Sequence, residues 1–354
     1  MQNEQTNKIA IAGRPVGAGH GCYVIAEAGV NHNGQLPLAL ALVDAAADAG
    51  ADAVKFQTFE AESLVTLDAP KCEYQARATG AGETQFEMLK KLELSRVAHR
   101  AVVERCHERR IEFLSTPFDE TSADFLEELG VAAFKIPSGE LTNLPLIDHI
   151  ARKGHPLIIS TGMANLSEVE QAVQTVERTG NHRFVLLHCV SNYPAAAAEV
   201  NLRAMRTLRA AFQVPVGYSD HTLGLEIGWA AVALGARMIE KHFTLDRSLP
   251  GPDHQASLDP EQLRQFVQGI RDIERAMGSG RKSATAAEQG TAAVARRSLV
   301  AARDIAAGTR ITADLIAFRR PGTGLPPAMK EQLLHRTACH DIPAGTVLRL
   351  GMVA

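Results

Sequence analysis

Val216-Gly217-Tyr218-Ser219-Asp220-His221, an amphipathic helical run over 225–234, and Met238-Ile239-Glu240-Lys241-His242 follow one another in the chain. Each outer run is short, starts apolar and ends in histidine, and the helical stretch between them is the kind of crossover that joins neighbouring parallel strands. Read as strand, helix, strand, the unit brings both imidazoles to one rim, close enough to hold one divalent ion. Two nitrogen ligands leave several positions open on a metal that prefers six, so substrate oxygens and water can enter directly. That pattern points to chemistry on a sugar or an acid.

The same alternation recurs eight times between Tyr23 and Gly278. Strands are expected at 23–26, 53–57, 112–115, 133–136, 156–160, 184–189, 214–218 and 238–241, with helices such as 36–49, 96–110, 122–129, 167–178, 202–212 and 225–234 between them. Eight repeats predict an α/β fold of the (β/α)8 TIM-barrel type, a body of about 250 residues. A doubly wound open sheet can be written from the same pattern, but it would carry a Gly-rich phosphate loop after an early strand, and Glu27-Ala28-Gly29-Val30-Asn31 is not one. The longest interruption, 58–83, is rich in polar and small residues, as a lid-like βα loop would be. After a last barrel helix at 262–277 comes Gly278-Ser279-Gly280-Arg281-Lys282-Ser283-Ala284-Thr285, a linker composition. The expected organisation is a catalytic barrel over 1–278, a linker over 279–296 and a small β-rich domain over 297–354. Within the tail, Ala301-Ala302-Arg303-Asp304-Ile305-Ala306-Ala307-Gly308-Thr309 is echoed by Ala338-Cys339-His340-Asp341-Ile342-Pro343-Ala344-Gly345-Thr346, which predicts a pseudo-symmetric module.

Composition narrows the function classes. With 45% hydrophobic and 22% charged residues, the 354-residue chain can bury a sizeable core, so whole-chain disorder and fibre are excluded. A net charge of -3 without a dense Lys/Arg block argues against a nucleic-acid partner. Residues 1–10 are polar and no run approaches the roughly 20 apolar residues of a membrane span, so no membrane partner and, by default, a cytoplasmic location are expected. Cys22, Cys72, Cys106, Cys189 and Cys339 are odd in number and form no C-x-x-C pair, so they read as buried or idle thiols. Cys189 is included, for want of an activating base nearby in the sequence.

Barrel active sites form at the carboxyl ends of the strands. Those ends supply Glu27, Lys55 and Gln57, Ser115 and Thr116, Lys135 with Ser138 and Glu140, Ser160 and Thr161, residues 191–193, Ser219 with His221, and Glu240 with His242. Lysines and hydroxyls converging on one rim suit a phosphate next to a carboxylate, since each anionic oxygen needs a donor or a cation. A single strand-end lysine is usually a salt-bridged residue; two of them, in Val-Lys-Phe-Gln and Phe-Lys-Ile-Pro-Ser-Gly, favour ligand contact. A Schiff-base role for one of them stays open. His107, His149, His155 and His335 read as surface side chains.

Five ordered segments resemble the sialic acid synthase family: Ile25-Ala26-Glu27-Ala28-Gly29-Val30-Asn31-His32-Asn33-Gly34, Val54-Lys55-Phe56-Gln57, Phe134-Lys135-Ile136-Pro137-Ser138-Gly139-Glu140, Gly217-Tyr218-Ser219-Asp220-His221-Thr222 and Glu240-Lys241-His242-Phe243-Thr244. The resemblance covers nearly the whole chain, since the tail resembles the SAF, or antifreeze-like, domain of those enzymes. It implies condensation of phosphoenolpyruvate with an N-acetylmannosamine-type sugar to give a nine-carbon 2-keto acid and phosphate. By the same resemblance Lys55, Thr116, Lys135, Ser138, Ser160 and Ser219 hold phosphoenolpyruvate, joined by Ser191 or Asn192, where the chain departs from some members. His221 and His242 bind Mn²⁺, or Mg²⁺ or Co²⁺. Gln57, Glu140, Tyr193 and Asp253 meet the sugar, and Arg320 of the SAF domain recognises its N-acetyl group across a domain-swapped homodimer. Glu27 and Glu140 are the acids open to proton handling, beside Lys55, His221 and His242 as catalytic groups. The sugar is N-acetylmannosamine or a 2,4-diacetamido-trideoxy sugar, and Gly251-Pro252-Asp253-His254-Gln255-Ala256-Ser257-Leu258 resembles the legionaminate type. Two other readings are a class I aldolase using Lys55 or Lys135 as Schiff base, and a carbohydrate-binding protein acting through the SAF domain.

Overall fold

In the computed structural model, which describes residues 8–80 and 82–354, the chain falls into two units, Met1–Gly278 and Ser279–Ala354. The first contains a hairpin, β1 Lys8–Ile11 and β2 Arg14–Gly17, followed by β3 Tyr23–Gly29, β4 Ala53–Thr58, β5 Glu112–Pro117, β6 Phe134–Ile136, β7 Leu157–Ser160, β8 Phe184–Cys189, β9 Val216–Asp220 and β10 Met238–His242. Strands β3 to β10 form one sheet in the order β5-β4-β3-β10-β9-β8-β7-β6, parallel throughout. Pairing of β3 with β10 joins the first of the eight strands to the last, and β5 lies beside β6, so the sheet curls into the expected barrel. A helix follows each of the eight strands: Leu36–Asp48, Arg96–Arg109, Glu120–Glu128, Leu144–Arg152, Leu166–Arg178, Ala204–Phe212, Glu226–Ala233 and Pro260–Met277. Ser95, Asp119, Asn143, Asn165 and Asp259 start five of them, each side chain accepting a first-turn N–H. Such caps contribute roughly 1 kcal/mol apiece.

Side chains on a strand alternate between its faces. Val24, Val54, Phe134, Ile159, Leu186 and Ile239 point out into the shell packed by the helices, while Tyr23, Ile25, Ala53, Leu114, Ala133, Ile158, Val185, Leu187 and Met238 fill the interior. Ile9, Ile11 and Val16 of the hairpin join the interior cluster and close its amino-terminal end. The sequence reading passed over this hairpin because residues 1–10 look polar; the available signal was the Ile9/Ile11 alternation before Ala12-Gly13. Arg14 anchors it to Asp52, whose carboxylate also accepts from Arg271 and the Val24 N–H.

Two residues further along the same inner face, the side chains turn polar: Ile25 gives way to Glu27, Ala53 to Lys55, Leu114 to Thr116, Ala133 to Lys135, Ile158 to Ser160 and Met238 to Glu240. One step of the strand period thus converts packed core into the floor of a site. Gly217 is required at this depth, because a Cβ there would lie 2.3 Å from the Met238 carbonyl oxygen and 2.7 Å from Leu187 Cδ2. The expected lid segment, 58–83, contains two short helices, Ala61–Leu64 and Glu73–Thr79, and a third, Gln85–Leu92, follows it. Met88 and Leu92 of this third helix pack with Val30 and Phe59 as a separate small core.

In the second unit, the stretch read as linker carries one exposed helix, Glu288–Ala295. β11 Ser298–Ala301 and β12 Ile316–Arg319 pair antiparallel over a core that includes Leu299, Ile305, Ile311, Leu315, Ile342 and Leu348. The internal repeat is realised as reciprocal bonding. Ile305 and Ile342 exchange both backbone hydrogen bonds, at 2.9 and 2.8 Å. The Ala307 N–H donates to Asp341 Oδ1 and the Ala344 N–H to Asp304 Oδ1, each at 2.7 Å. Among the described residues no helix is long and apolar enough to cross a membrane.

Candidate active site

The carboxyl ends of the strands surround a cavity of about 330 Å³. Of the residues expected there, Glu27, Lys55, Gln57, Thr116, Lys135, Ser138, Glu140, Ser160, Ser191, Tyr193, Ser219, His221, His242 and Asp253 all line it. Asn192 does not; it is exposed, so of the alternative pair only Ser191 is brought to the cavity. Arg320 belongs to the second unit, where it is exposed and has no ion-pair partner among the described residues.

Four buried ionisable groups form the floor. Lys55 Nζ lies 2.8 Å from Glu27 Oε2 and 3.8 Å from Glu240 Oε1, and Lys135 Nζ lies 3.0 Å from the same Glu240 oxygen. Lys55 also donates to Thr116 Oγ1 at 3.0 Å, and Ser219 Oγ donates to Glu240 Oε1 at 3.2 Å. The ladder explains these contacts: Glu27 stands in register with Lys55 on one side and His242 on the other, and Glu240 with Ser219.

Environment separates the two carboxyls. Burial raises the Glu27 pKa, and although Lys55 opposes it, the group is pushed up to about 7. Burial acts on Glu240 as well, but Lys135 and Lys55 outweigh it and bring that carboxyl down to about 2. Two acids held apart in this way divide into one that carries a proton near neutrality and one that stays ionised. Glu140, the other acid expected to handle protons, is only half-buried and accepts a hydrogen bond from Asn143. Burial lowers the Lys135 pKa; it also works against the charge on Lys55, which Glu240 and Glu27 nevertheless hold above its usual value.

Above the floor, the His221 and His242 ring centroids are 5.4 Å apart. His221 Nδ1 donates to the Val190 carbonyl at 2.7 Å, so in the neutral ring Nε2 is the lone-pair nitrogen; burial opposes the charged ring, but Cys189 raises its pKa. His242 is held neutral, its pKa pushed far down by burial and then by His221, and its buried Nδ1 has no partner among the described residues. A backbone carbonyl fixing the tautomer of one ring and an orphaned nitrogen on the other form a donor pair that fits a divalent cation. No third His, Cys, Asp or Glu of the described residues completes such a group, so remaining positions would fall to substrate or water.

Cys189 is not idle. It lines the cavity with Sγ 3.7 Å from His221 Nδ1, and although burial opposes ionisation, His221 lowers its pKa. This neighbour lies just past the end of β9, 32 residues away, where no local motif reveals it. Tyr193 packs on His221 at 4.1 Å between centroids and on Tyr74 at 4.9 Å, so the lid segment supplies an aromatic roof that sequence reading missed. Val30, Leu64, Val65, Met88, Leu89 and Phe118 make one wall apolar. The cavity therefore has two faces, one suited to a small polyanion and one to methyl-bearing groups.

A model of the NeuB family matches residues 42–282, and a model of the SAF domain matches residues 296–354. The N,N'-diacetyllegionaminic acid synthase of Legionella pneumophila is 50% identical, over 95% of this chain and 95% of its own. The enzyme of that name from Campylobacter jejuni is 47% identical, over 92% of this chain and 98% of its own. Among solved structures, the N-acetylneuraminic acid synthetase of Leptospira borgpetersenii in complex with citrate superposes with a TM-score of 0.72 at 37% identity, covering 80% of this chain and 94% of that one.

Proposed function

The chain belongs to the NeuB family, and from that premise we propose that it condenses phosphoenolpyruvate with an open-chain 2,4-diacetamido-trideoxy sugar, giving a legionaminate-type nine-carbon acid and phosphate. The observation that carries this reading is the two-faced cavity. Its floor of Lys55, Lys135, Thr116, Ser160 and Ser219 offers cations and hydroxyls to a phosphate and a carboxylate. Its apolar lining, with Leu64, Val65, Met88 and Leu89, gives the methyls of a deoxygenated, doubly acetylated sugar a surface that a hydroxyl would not need. The two relatives that are 50% and 47% identical bear the corresponding synthase name.

In this reading C3 of phosphoenolpyruvate attacks the sugar aldehyde carbon, water adds at C2 and gives up a proton that restores Glu27, and the C2–O bond breaks so that the remaining C2 hydroxyl becomes the ketone and its proton leaves with phosphate. His221 and His242 would hold a divalent ion, Mn²⁺ first, which would supply Lewis-acid polarisation to the aldehyde. Lys55 and Lys135 stay engaged by the anionic oxygens that Glu27 and Glu240 otherwise occupy. Glu27, the carboxyl that keeps its proton near neutrality, gives that proton to the oxygen of the former aldehyde. Gln57, Glu140, Tyr193 and Asp253 meet the sugar hydroxyl and acetamido groups. Arg320 completes the sugar site of a partner subunit in a domain-swapped homodimer; its exposure and lack of an ion-pair partner within its unit support that role.

Phosphate release from phosphoenolpyruvate, measured with N-acetylmannosamine and with the 2,4-diacetamido-trideoxy sugar, each with Mn²⁺ and with chelator, tests the proposal. Release that needs metal and is faster with the diacetamido sugar is expected. No release with either sugar refutes it, and borohydride trapping of a carbonyl substrate, indifferent to chelator, would return the floor lysines to aldolase chemistry. Mixing Lys55→Ala protein with Arg320→Ala protein tests the exchange: activity returns in the heterodimer if each subunit supplies half of a site, and stays absent otherwise.

A further inference from the structure

On the outer side of the barrel, directly behind the two histidines, Asp220 and Lys241 form an ion pair of 2.7 Å with side chains 0% and 1% exposed. They face each other in the β9–β10 ladder. Asp220 Oδ1 accepts from the Thr222 N–H at 3.0 Å and from Thr222 Oγ1 at 2.8 Å, while Lys241 Nζ also donates to the Thr222 carbonyl at 2.6 Å. The residues on both sides of His221 are thereby tied to the residue just before His242. Helix Glu226–Ala233 comes down over the pair at Gly228, where a Cβ would stand 3.2 Å from Asp220 Oδ2 and 2.5 Å from the Phe266 ring.

Burying two charges is expensive, and an apolar pair of similar volume is often as stable or more so. Other outward strand positions carry no carboxylate or lysine: Val54, Phe56, Ile136, Ile159 and Leu186 are apolar, and the polar Thr58 and Ser115 are uncharged. The geometry of the exception explains it. Neighbouring residues on a strand point to opposite faces, so clamping Asp220 and Lys241 on the outside fixes the Cα–Cβ directions of His221 and His242 on the inside. A contact between hydrocarbons tolerates sliding; a charged pair with four directed hydrogen bonds does not.

We infer that the Asp220–Lys241 pair is a positioning device that sets the separation and aim of the His221 and His242 nitrogens for a divalent cation. The inference rests on the reading of those histidines as metal ligands. Neither residue touches the cavity; both act through the histidine that follows.

The test is Mn²⁺ binding to the full-length protein, read as free Mn²⁺ by electron paramagnetic resonance without substrates, beside KM for phosphoenolpyruvate at saturating Mn²⁺. Lys241→Met is expected to weaken Mn²⁺ binding about 10- to 100-fold, the usual effect of removing a group that orients a ligand, with that KM nearly unchanged. Lys241→Arg, which keeps the charge, is expected to recover most of the affinity. Because Lys241→Met leaves a buried carboxylate alone and risks misfolding, the Asp220→Asn/Lys241→Met double variant is the decisive one. It removes both charges while keeping an acceptor for Thr222, and it is expected to melt near the wild-type temperature yet bind Mn²⁺ at least 10-fold more weakly. A folded double variant with wild-type Mn²⁺ affinity overturns the inference. Wild-type protein that binds no Mn²⁺ overturns the metal reading itself, and is told apart because no variant is then needed.

Discussion

Glu27 is expected to destabilise the fold above neutral pH, and Glu27→Gln to remove that cost. The carboxyl has an ordinary value of 4.5 and is pushed up to about 7 by burial, which Lys55 only partly offsets. Below 4.5 both folded and unfolded chains hold the proton, so the group contributes nothing to the pH dependence. Between 4.5 and about 7 the unfolded chain releases a proton that the native state keeps, so rising pH favours unfolding. At 1.36 kcal/mol per pKa unit the penalty is about 1 kcal/mol at pH 5 and about 3 kcal/mol at pH 8. The stability of Glu27→Gln relative to wild type should therefore rise by about 2 kcal/mol between those pH values. Loss of the Lys55 contact adds an offset, but the slope isolates the carboxyl. Urea unfolding of the metal-free protein reads it, and Trp229, the single tryptophan, makes fluorescence specific to the barrel because its Nε1 donates to the Phe266 carbonyl there. With a urea m-value of ~3 kcal/mol/M, the midpoint difference should grow by roughly 0.7 M. A difference that is flat with pH, or that shrinks, would show that Lys55 wins over burial and that Glu27 is ionised throughout.

Phosphoenolpyruvate should bind with proton uptake at pH 8, because an anion on the floor stabilises the protonated Glu27 carboxyl; calorimetry in buffers of different ionisation enthalpy reads it, and Glu27→Gln should abolish most of it. Gly217→Ala forces a methyl against the Met238 carbonyl at 2.3 Å and should destabilise the barrel by about 2–3 kcal/mol or more; urea midpoints within 0.2 M of wild type would contradict the close approach. Asp304→Ala and Asp341→Ala each remove one 2.7 Å bond to a turn N–H and should cost the second unit about 1 kcal/mol each, alike within error by calorimetry, whereas a strongly unequal pair would deny the pseudo-symmetry.

The barrel was legible because its strands are buried on both faces and so read as continuous apolar runs separated by amphipathic helices. The floor was legible for a related reason: Lys55, Lys135, Ser160, Ser219 and His242 sit where a strand period carries the inner face past the core, and a polar residue there stands out against its apolar neighbours. What sequence did not reveal depends on contacts between distant segments. The imidazole beside Cys189 comes from beyond another strand, the roof over Tyr193 comes from Tyr74 in a segment without period, and the division between Glu27 and Glu240 arises from unequal access to two lysines. Ser191 and Asn192 could not be separated before the backbone turned one of them toward the cavity and the other outward. The hairpin at Lys8–Gly17 eluded reading because only three of its side chains, Ile9, Ile11 and Val16, are needed to fill one end of a barrel.

The crossed carboxylates of the second unit bear on its ancestry. Asp304 closes the turn of the later copy and Asp341 the turn of the earlier one, so neither copy closes its own. A single copy could satisfy that N–H only by meeting another of its kind. Duplication of such a segment would have joined head to tail two pieces that already paired with each other, and the resulting chain kept the exchange within itself. Cutting the module between the copies, near Met329, should therefore yield two fragments that are unfolded apart and reassociate when mixed.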